Sequence, residues 1–290
     1  MTLILDGKAT AAAIRAELRA EVAQLSELHG RPPGLAVILV GEDPASQVYV
    51  RNKEKACAEV GVVSFAHRLP GDAGQEALEG LILRLNADPA VDGVLVQLPL
   101  PKGLDKQAVL DLIDPDKDVD GFHPMNMGRL ALGLPGFRPC TPAGVIELLR
   151  RHGITTAGKK AVVVGRSNIV GRPMSIMLSG YGAQADATVT VVHTKTPPDE
   201  VPAICRSADI LVVAAGSPRC IPGDWVKDGA VVVDVGIHRM DDGSLCGDCD
   251  YSALRHRTAA ITPVPGGVGP MTIAMLLTNT VQAYREHMGT

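Results

Sequence analysis

The chain has 290 residues, of which 46% are hydrophobic and 3% aromatic, and its formal net charge is −4. This composition predicts a soluble globular protein of about two domains, and the slight acidic excess with few aromatic side chains argues against nucleic-acid binding. The apolar runs fall far short of the roughly 20 residues of a membrane helix, and the N-terminus lacks a basic leader, so we expect a cytoplasmic protein without membrane contact. The six cysteines are dispersed, and we expect no disulfides.

The first third of the chain alternates helical and extended patterns. Apolar residues recur at helical spacing from Lys8 to His29, which predicts the first helix. The segments that follow are strand 34–40, helix 46–60, strand 62–69, helix 75–86 and strand 93–96. These strands lack the in-out alternation of a sheet with one wet face, so the pattern predicts parallel strands with helices on both faces.

The stretch from Pro99 to Pro142 is dense in Pro, Gly and Asp, and we expect it to form active-site loops followed by a domain boundary. After a predicted helix at 143–152, a second alternating set begins, and a helix at 270–287 closes the chain. The second set comprises strand 160–165, helix 170–178, and strands 188–193, 209–215 and 230–235. The fold class is therefore α/β, with two α/β domains.

A glycine-bearing turn connects the strand at 160–165 to the next helix. Small residues there let the backbone approach a pyrophosphate, whose charge meets free amides and the positive end of the helix dipole. The loop opens with Gly165, Arg166 and Ser167, but Ser167 and Val170 stand where the G-x-G-x-x-G fingerprint has its second and third glycines. A tight turn without a ligand is the alternative reading.

The residues around the next strand indicate which dinucleotide this loop would bind. An NAD site places Asp or Glu at the end of that strand, but here the sequence His-Thr-Lys-Thr (193–196) follows the strand and Asp186 precedes it. Together with Arg166, these residues suit a 2′-phosphate, so we expect NADP. Solvated polar residues at a strand end are the alternative.

Two features of the first domain suggest a ligand site. Tyr49 and Lys53 are four residues apart on a predicted helix and therefore share a face, although such pairs are common on surfaces. Gln97 follows the strand at 93–96, and open α/β sheets bind ligands at the carboxyl ends of their strands. Prolines at 99 and 101 restrict the loop after it.

Two segments have metal-like spacings that are incomplete. Residues 114–121 begin like a calcium loop, but Met127 stands where a bidentate Glu is required. Cys246 and Cys249 form one pair without a second pair or a His at zinc-finger spacing, and we interpret them as a turn. We expect no metal site.

Six motifs are distributed over nearly the whole chain. They are YVRNKEK (49–55), VQLPLP (96–101), KDVDGF (117–122), PCTP (139–142), the glycine loop (165–173) and PVPGGVGPMT (263–272). In this order they resemble the bifunctional methylenetetrahydrofolate dehydrogenase/methenyltetrahydrofolate cyclohydrolase family. No synthetase domain for formate activation accompanies them, so the likeness is to the bacterial-type form with two activities.

The resemblance implies a folate site in a cleft between two domains. It assigns residues 1–142 plus 271–290 to a folate-binding catalytic domain and residues 143–270 to a Rossmann-type NADP-binding domain. Lys53 is implied as the catalytic lysine, Gln97 as its hydrogen-bond partner, Tyr49 as the residue that packs on the folate and Asp120 as the carboxylate that holds the pterin. The remaining implied folate contacts are Pro99, Pro265 and Gly269. The implied cofactor contacts are Gly165, Arg166, Ser167, Ile169, Thr194, Ile237, Gly267 and Thr272.

The implied activities are oxidation of 5,10-methylenetetrahydrofolate with NADP and hydrolysis of the methenyl product to 10-formyltetrahydrofolate, in a homodimer. A lysine can assist this hydrolysis as a base only when neutral, so we expect burial and the cationic substrate to lower the pKa of Lys53. An amino-acid-type dehydrogenase and a non-catalytic nucleotide-binding regulator are the alternatives. Gln97 and Asp120 suit a larger planar ligand than an amino-acid-type dehydrogenase would bind. The joint presence of Tyr49, Lys53, Gln97 and Asp120 favours an enzyme over a regulator.

Overall fold

The structure is a computed structural model that describes residues 2–290 and contains two parallel sheets and an antiparallel hairpin. The strands among these residues are β1 (Leu3–Ile4), β2 (Gly34–Val40), β3 (Val63–Leu69), β4 (Gly93–Val96), β5 (Lys160–Val164), β6 (Thr188–Val192), β7 (Ile210–Val213), β8 (Val231–Asp234), β9 (His238–Arg239), β10 (Leu245–Cys246) and β11 (Ala260–Ile261). The helices are α1 (Gly7–His29), α2 (Pro44–Val60), α3 (Gln75–Ala87), α4 (Lys106–Leu112), α5 (Pro124–Leu132), α6 (Cys140–Arg151), α7 (Gly171–Ser179), α8 (Val201–Ser207), α9 (Tyr251–Leu254) and α10 (Val268–Met288).

The chain divides into two compact units. Unit A comprises Ala12–Arg129, Leu134–Cys140 and Ile273–Thr290, and unit B comprises the residues up to Ala11, Leu130–Gly133 and Thr141–Thr272. The first eleven residues are expected from the sequence in the first domain, whereas β1 pairs with β11 in the sheet of unit B. The assignment of folate to one domain and NADP to the other stays a prediction.

Unit A is built on a parallel sheet with the order β3–β2–β4. All seven residues of β2 are buried, as expected for a central strand covered on both faces. Ala36, Ile38 and Val40 of this strand form one core with apolar side chains of β4, α3 and α4. The parallel strands predicted for this part of the chain are confirmed.

Helix α2, which carries Tyr49 and Lys53, has a defined start and end. The Asp43 carboxylate accepts a hydrogen bond from the Ser46 amide at 2.7 Å, and Pro44 occupies the first turn, where its missing N–H is no loss. The helix ends at Gly61, whose φ of 86° is left-handed. Both ends of the helix are therefore specified locally, which fixes the register of Lys53 against the sheet.

The segment between Pro99 and Pro142 is not wholly loop, contrary to the sequence-based expectation. It contains α4 and α5. The Asp105 carboxylate starts α4 by accepting hydrogen bonds from the amides of Gln107 at 2.9 Å and Ala108 at 3.1 Å. These two helices flank the loop that carries Asp120.

Unit B contains a parallel sheet with the order β1–β11–β8–β7–β5–β6. The chain passes from β5 to β6 on one side and then to β7 on the other side of β5. Doubly wound sheets bind ligands beyond the carboxyl ends of the strands at such a reversal. The predicted α/β class with a Rossmann-type second sheet is confirmed.

The helices and strands predicted from the sequence agree with the observed ones to within three residues at each end. Helix α8, the β9–β10 hairpin, α9 and the two-residue strands β1 and β11 were not predicted. In the part of the chain that the structure describes, no helix has both the length and the hydropathy needed to cross a bilayer.

Candidate active site

Lys53 and Gln97 form the centre of a polar cluster in unit A. The Lys53 amine donates a hydrogen bond to Oε1 of Gln97 over 3.0 Å. Gln97 extends β4 by one residue, because its backbone amide donates to the Ile38 carbonyl at 2.8 Å, and its side-chain amide donates to the Leu98 carbonyl at 2.7 Å. With its backbone and its amide group both fixed, the Gln97 oxygen holds the Lys53 amine at the carboxyl end of the sheet.

Asp120 joins this cluster from the loop between α4 and α5. The loop turns at Gly121, whose φ is +74° and where a Cβ would lie 2.5 Å from the Arg138 carbonyl carbon, so only glycine allows this approach. Asn279 of α10 ties the loop down by donating to the carbonyls of Val119 at 2.8 Å and Arg138 at 3.0 Å. The carboxylate of Asp120 is thereby held on a rigid loop next to Lys53.

The electrostatics of the cluster shift the pKa values of Lys53 and Asp120 in opposite directions. Burial lowers the pKa of Lys53, and the negative charge of Asp120 opposes this shift. Burial raises the pKa of Asp120, and the positive charge of Lys53 opposes that shift in turn. Burial also raises the pKa of the nearby Cys57 thiol to about 12 and that of Cys140 well above its usual range, so neither thiol supplies a charge. The predicted downward shift of Lys53 by burial is confirmed in direction.

The other predicted folate contacts are exposed. Tyr49, one turn before Lys53 on α2, is 44% exposed, which leaves its ring free to pack on a planar ligand. Pro99 lies in the loop after Gln97 and is exposed. Pro265 and Gly269, which belong to unit B, are exposed on the segment that leads into α10 and in its first turn. Lys53 is thus hydrogen-bonded to Gln97 and interacts with the charge of Asp120. The other predicted folate contacts are accessible to a ligand.

The glycine loop of unit B has the predicted strand–turn–helix context. Gly165 follows β5 with φ +117°, and a Cβ there would lie 2.2 Å from the Ala214 carbonyl oxygen. A Cβ on Gly171, the first residue of α7, would lie 2.2 Å from the Gly165 carbonyl oxygen. Both glycines are therefore required for the turn to close onto the start of the helix. Between them, residues 166–169 are exposed, and Ser167 Oγ accepts hydrogen bonds from the amides of Val170 at 3.2 Å and Gly171 at 3.4 Å. Binding of a pyrophosphate by this loop stays a prediction.

Two further predicted cofactor contacts lie at the same edge of the sheet. Thr194 is exposed in the turn after β6, where the His193 amide donates to Thr196 Oγ1 at 3.1 Å. Ile237 follows β8 and is 48% exposed. Because β5, β6 and β8 are parallel, their carboxyl ends meet at one edge, so both residues share the edge of Gly165.

The last two predicted cofactor contacts have internal partners in unit B. Gly267 is buried, and a Cβ there would lie 2.6 Å from the Pro263 carbonyl oxygen. The Thr272 hydroxyl lies 3.0 Å from that of Thr141. Their contact with a cofactor stays a prediction.

One buried polar network was missed by the sequence reasoning. The interpretation of residues 246–249 as a turn overlooked Asp248, a fully buried carboxylate that is hydrogen-bonded to the loop after β7. The available signal was a glycine within two residues of an aspartate in two places, Asp234-Val-Gly236 and Gly247-Asp248.

Comparison with known proteins gives consistent similarities over the full length. Residues 5–120 match the tetrahydrofolate dehydrogenase/cyclohydrolase catalytic domain, and residues 139–288 match the NAD(P)-binding domain of the same name. The chain is 65% identical to the bifunctional protein FolD of Maridesulfovibrio salexigens, over 99% of both chains.

Solved structures agree with these matches. The bifunctional enzyme FolD, methylenetetrahydrofolate dehydrogenase/cyclohydrolase, of Campylobacter jejuni superposes with a TM-score of 0.95 at 49% identity, over 99% of both chains. The methylenetetrahydrofolate dehydrogenase-cyclohydrolase of Trypanosoma brucei, complexed with NADP cofactor and inhibitor, gives a TM-score of 0.94 at 44% identity, over 100% of this chain and 99% of that one.

Proposed function

Because this chain belongs to the tetrahydrofolate dehydrogenase/cyclohydrolase family, we propose that it catalyses two consecutive steps of folate one-carbon interconversion. It oxidises 5,10-methylenetetrahydrofolate to 5,10-methenyltetrahydrofolate with NADP, and it hydrolyses the methenyl compound to 10-formyltetrahydrofolate. The observation that carries this proposal is the Lys53 amine, which is hydrogen-bonded to Gln97 and has its pKa lowered by burial. Matches to both a catalytic and an NAD(P)-binding domain favour this enzyme over an amino-acid-type dehydrogenase or a regulator without turnover.

The hydrolytic step uses Lys53 as its base. Water attacks the cationic methenyl carbon, a carbon–oxygen bond forms, and the water proton passes to the neutral Lys53 amine. Lys53 then gives this proton to the departing ring nitrogen as the carbon–nitrogen bond breaks, and the remaining hydroxyl proton is released to solvent as the formyl C=O forms. A positioned general base contributes about 10²–10⁴ in rate. Gln97 orients the amine through its Oε1, and the positive charge of the substrate adds to the burial that keeps the amine neutral.

Substrate binding relies on Asp120 and on apolar contacts. A carboxylate can accept two hydrogen bonds from the donor edge of a pterin, and such charge-assisted pairs are strong in a buried site. The ligand donors offset the burial that raises the pKa of Asp120. Tyr49 packs on the planar ring system. The remaining folate contacts in the proposal are Pro99, Pro265 and Gly269.

The oxidative step depends on binding and orientation. When bound, NADP supplies the hydride acceptor, and the protein supplies alignment. Gly165, Arg166 and Ser167 hold the pyrophosphate, and Thr194 lies by the 2′-phosphate. The other proposed cofactor contacts are Ile169, Ile237, Gly267 and Thr272. Family likeness further supports a homodimer in the cytoplasm, which analytical ultracentrifugation and fractionation would test.

The test of the proposal replaces Lys53 by methionine. This change keeps the approximate length of the side chain and removes the base, so hydrolysis of the methenyl compound should fall by about 10² or more. Lys55→Met is the matched control, because Lys55 is exposed on the same helix. Wild-type turnover by Lys53→Met would refute the role of Lys53. Absence of both activities in the wild-type protein, with either nicotinamide cofactor, would refute the proposed function.

A further inference from the structure

We propose that Asp248 is a positioning residue for the nicotinamide half of the cofactor site, because one buried carboxylate holds the loops after both β7 and β8. The inference rests on the proposed function in that it takes NADP as the ligand of unit B. Asp248 follows the β9–β10 hairpin and has no exposed surface.

The loop after β7 is organised around the Asp248 carboxylate. Its Oδ2 accepts hydrogen bonds from the amides of Ala215 at 2.7 Å and Gly216 at 3.1 Å, and its Oδ1 accepts one from the amide of Ser217 at 3.0 Å. Three successive amides therefore point inward to one charge. Residues 215–217 are nevertheless exposed, so the buried Asp248 carboxylate fixes the conformation of an exposed loop.

The loop after β8 contacts the same carboxylate. A Cβ on Gly236 would lie 2.4 Å from Asp248 Oδ1, so the glycine is needed for this approach. His238 Nε2 lies 2.7 Å from the same oxygen. Ile237 stands between these two contacts and is 48% exposed, which means that Asp248 fixes the residues on both sides of a proposed cofactor contact.

Asp248 is itself held by a second buried carboxylate. Asp234 accepts hydrogen bonds from the amides of Asp248 at 2.9 Å, Cys249 at 2.8 Å and Gly236 at 3.0 Å. A Cβ on Gly247 would lie 2.0 Å from Asp234 Oδ2. Each carboxylate is thus packed against one glycine, and the arrangement leaves little freedom for Asp248 to move.

The order of the strands indicates which half of the dinucleotide the loops after β7 and β8 face. Thr194, proposed for the 2′-phosphate, follows β6 on one side of β5, whereas β7 and β8 lie on the other side. A dinucleotide whose pyrophosphate rests on the Gly165 loop therefore directs its nicotinamide riboside toward the loops that Asp248 holds. The amides of residues 215–217 are committed to Asp248, so this loop offers small side chains and carbonyl oxygens, which suit uncharged hydroxyl and carboxamide groups and not phosphate.

The test compares the binding of two ligands by titration calorimetry: NADP, and adenosine 2′,5′-bisphosphate, which lacks the nicotinamide half. Asp248→Asn removes the charge and one acceptor oxygen, so its affinity for NADP should fall by about tenfold or more. Its affinity for the bisphosphate should stay within about twofold of wild type. Asp242→Asn is the matched control, because Asp242 caps only the exposed turn of the hairpin through the Ser244 amide.

His238→Leu provides a second, milder variant if Asp248→Asn does not fold. It removes one ring contact to Asp248 and should weaken NADP binding by less than Asp248→Asn, again without effect on the bisphosphate. Equal NADP affinity in these variants and the wild type would overturn the inference, and so would equal losses for both ligands, which would indicate a general structural role. A wild-type protein that binds neither ligand would instead refute the proposed function.

Discussion

Replacement of Gly165 by alanine tests whether the nucleotide loop depends on a conformation that only glycine adopts freely. The φ of Gly165 is +117°, in a region that other residues occupy at a cost of about 1–3 kcal/mol. An alanine Cβ would also lie 2.2 Å from the Ala214 carbonyl oxygen. Relief of such an overlap costs about 1–3 kcal/mol more. The free energy of unfolding of the protein should therefore fall by about 2–6 kcal/mol in sum.

Gly153→Ala is the control for this experiment, because Gly153 has φ +69° and no atom lies within 4 Å of the position that a Cβ would take there. It carries only the left-handed strain, about 1–2 kcal/mol. Urea unfolding gives the stabilities and calorimetry gives the affinity for NADP. Gly165→Ala should be the less stable variant and should bind NADP more weakly, while methenyl hydrolysis persists. If both variants match in stability and Gly165→Ala binds NADP as the wild type does, the reasoning about this loop is wrong.

Two further predictions concern buried charges in unit A. Arg31→Met leaves the fully buried Asp92 carboxylate without its bidentate partner at 2.7 and 2.8 Å. Urea unfolding should therefore show that the free energy of unfolding falls by about 3–5 kcal/mol. The control is Arg285→Met, whose partner Glu21 is exposed, and its loss should be about 0–1 kcal/mol. Burial raises the pKa of Asp118 from 3.8 to about 6, so its contribution to stability is complete below the unfolded value and is lost as the pH rises through about 6. The free energy of unfolding of Asp118→Asn, measured relative to wild type, should therefore increase by up to about 3 kcal/mol between acidic and neutral pH, and a difference that is constant with pH would contradict this.

Much of the fold could be predicted because its main elements carry strong local signals. The continuous apolar runs of β2, β4 and β5 identify buried parallel strands. Helices α4 and α5 were missed because they have only seven and nine residues within a stretch rich in Pro, Gly and Asp. Strands β1 and β11 have two residues each, which is too short for any periodicity, and they exist through their pairing in the sheet.

The site residues were predicted less evenly. Lys53 and Gln97 were found through motifs, but the hydrogen bond between them joins positions 44 residues apart, which no local pattern reports. Asp248 was missed because its hydrogen-bond partners are also distant in the sequence. Its partners Ala215 and Asp234 lie 33 and 14 residues away, and its own neighbours in sequence indicate only a turn.

The protonation state of Lys53 is the claim on which the hydrolytic mechanism depends most directly. An NMR titration of the isotope-labelled lysine side chains, with the Lys53 signal assigned by its loss in Lys53→Met, measures the pKa of this amine. We predict a value below the ordinary 10.5, and a still lower value in Asp120→Asn, since the charge of Asp120 opposes the effect of burial. A pKa at or above 10.5, or an amine that stays protonated at neutral pH with the folate substrate bound, would contradict the account.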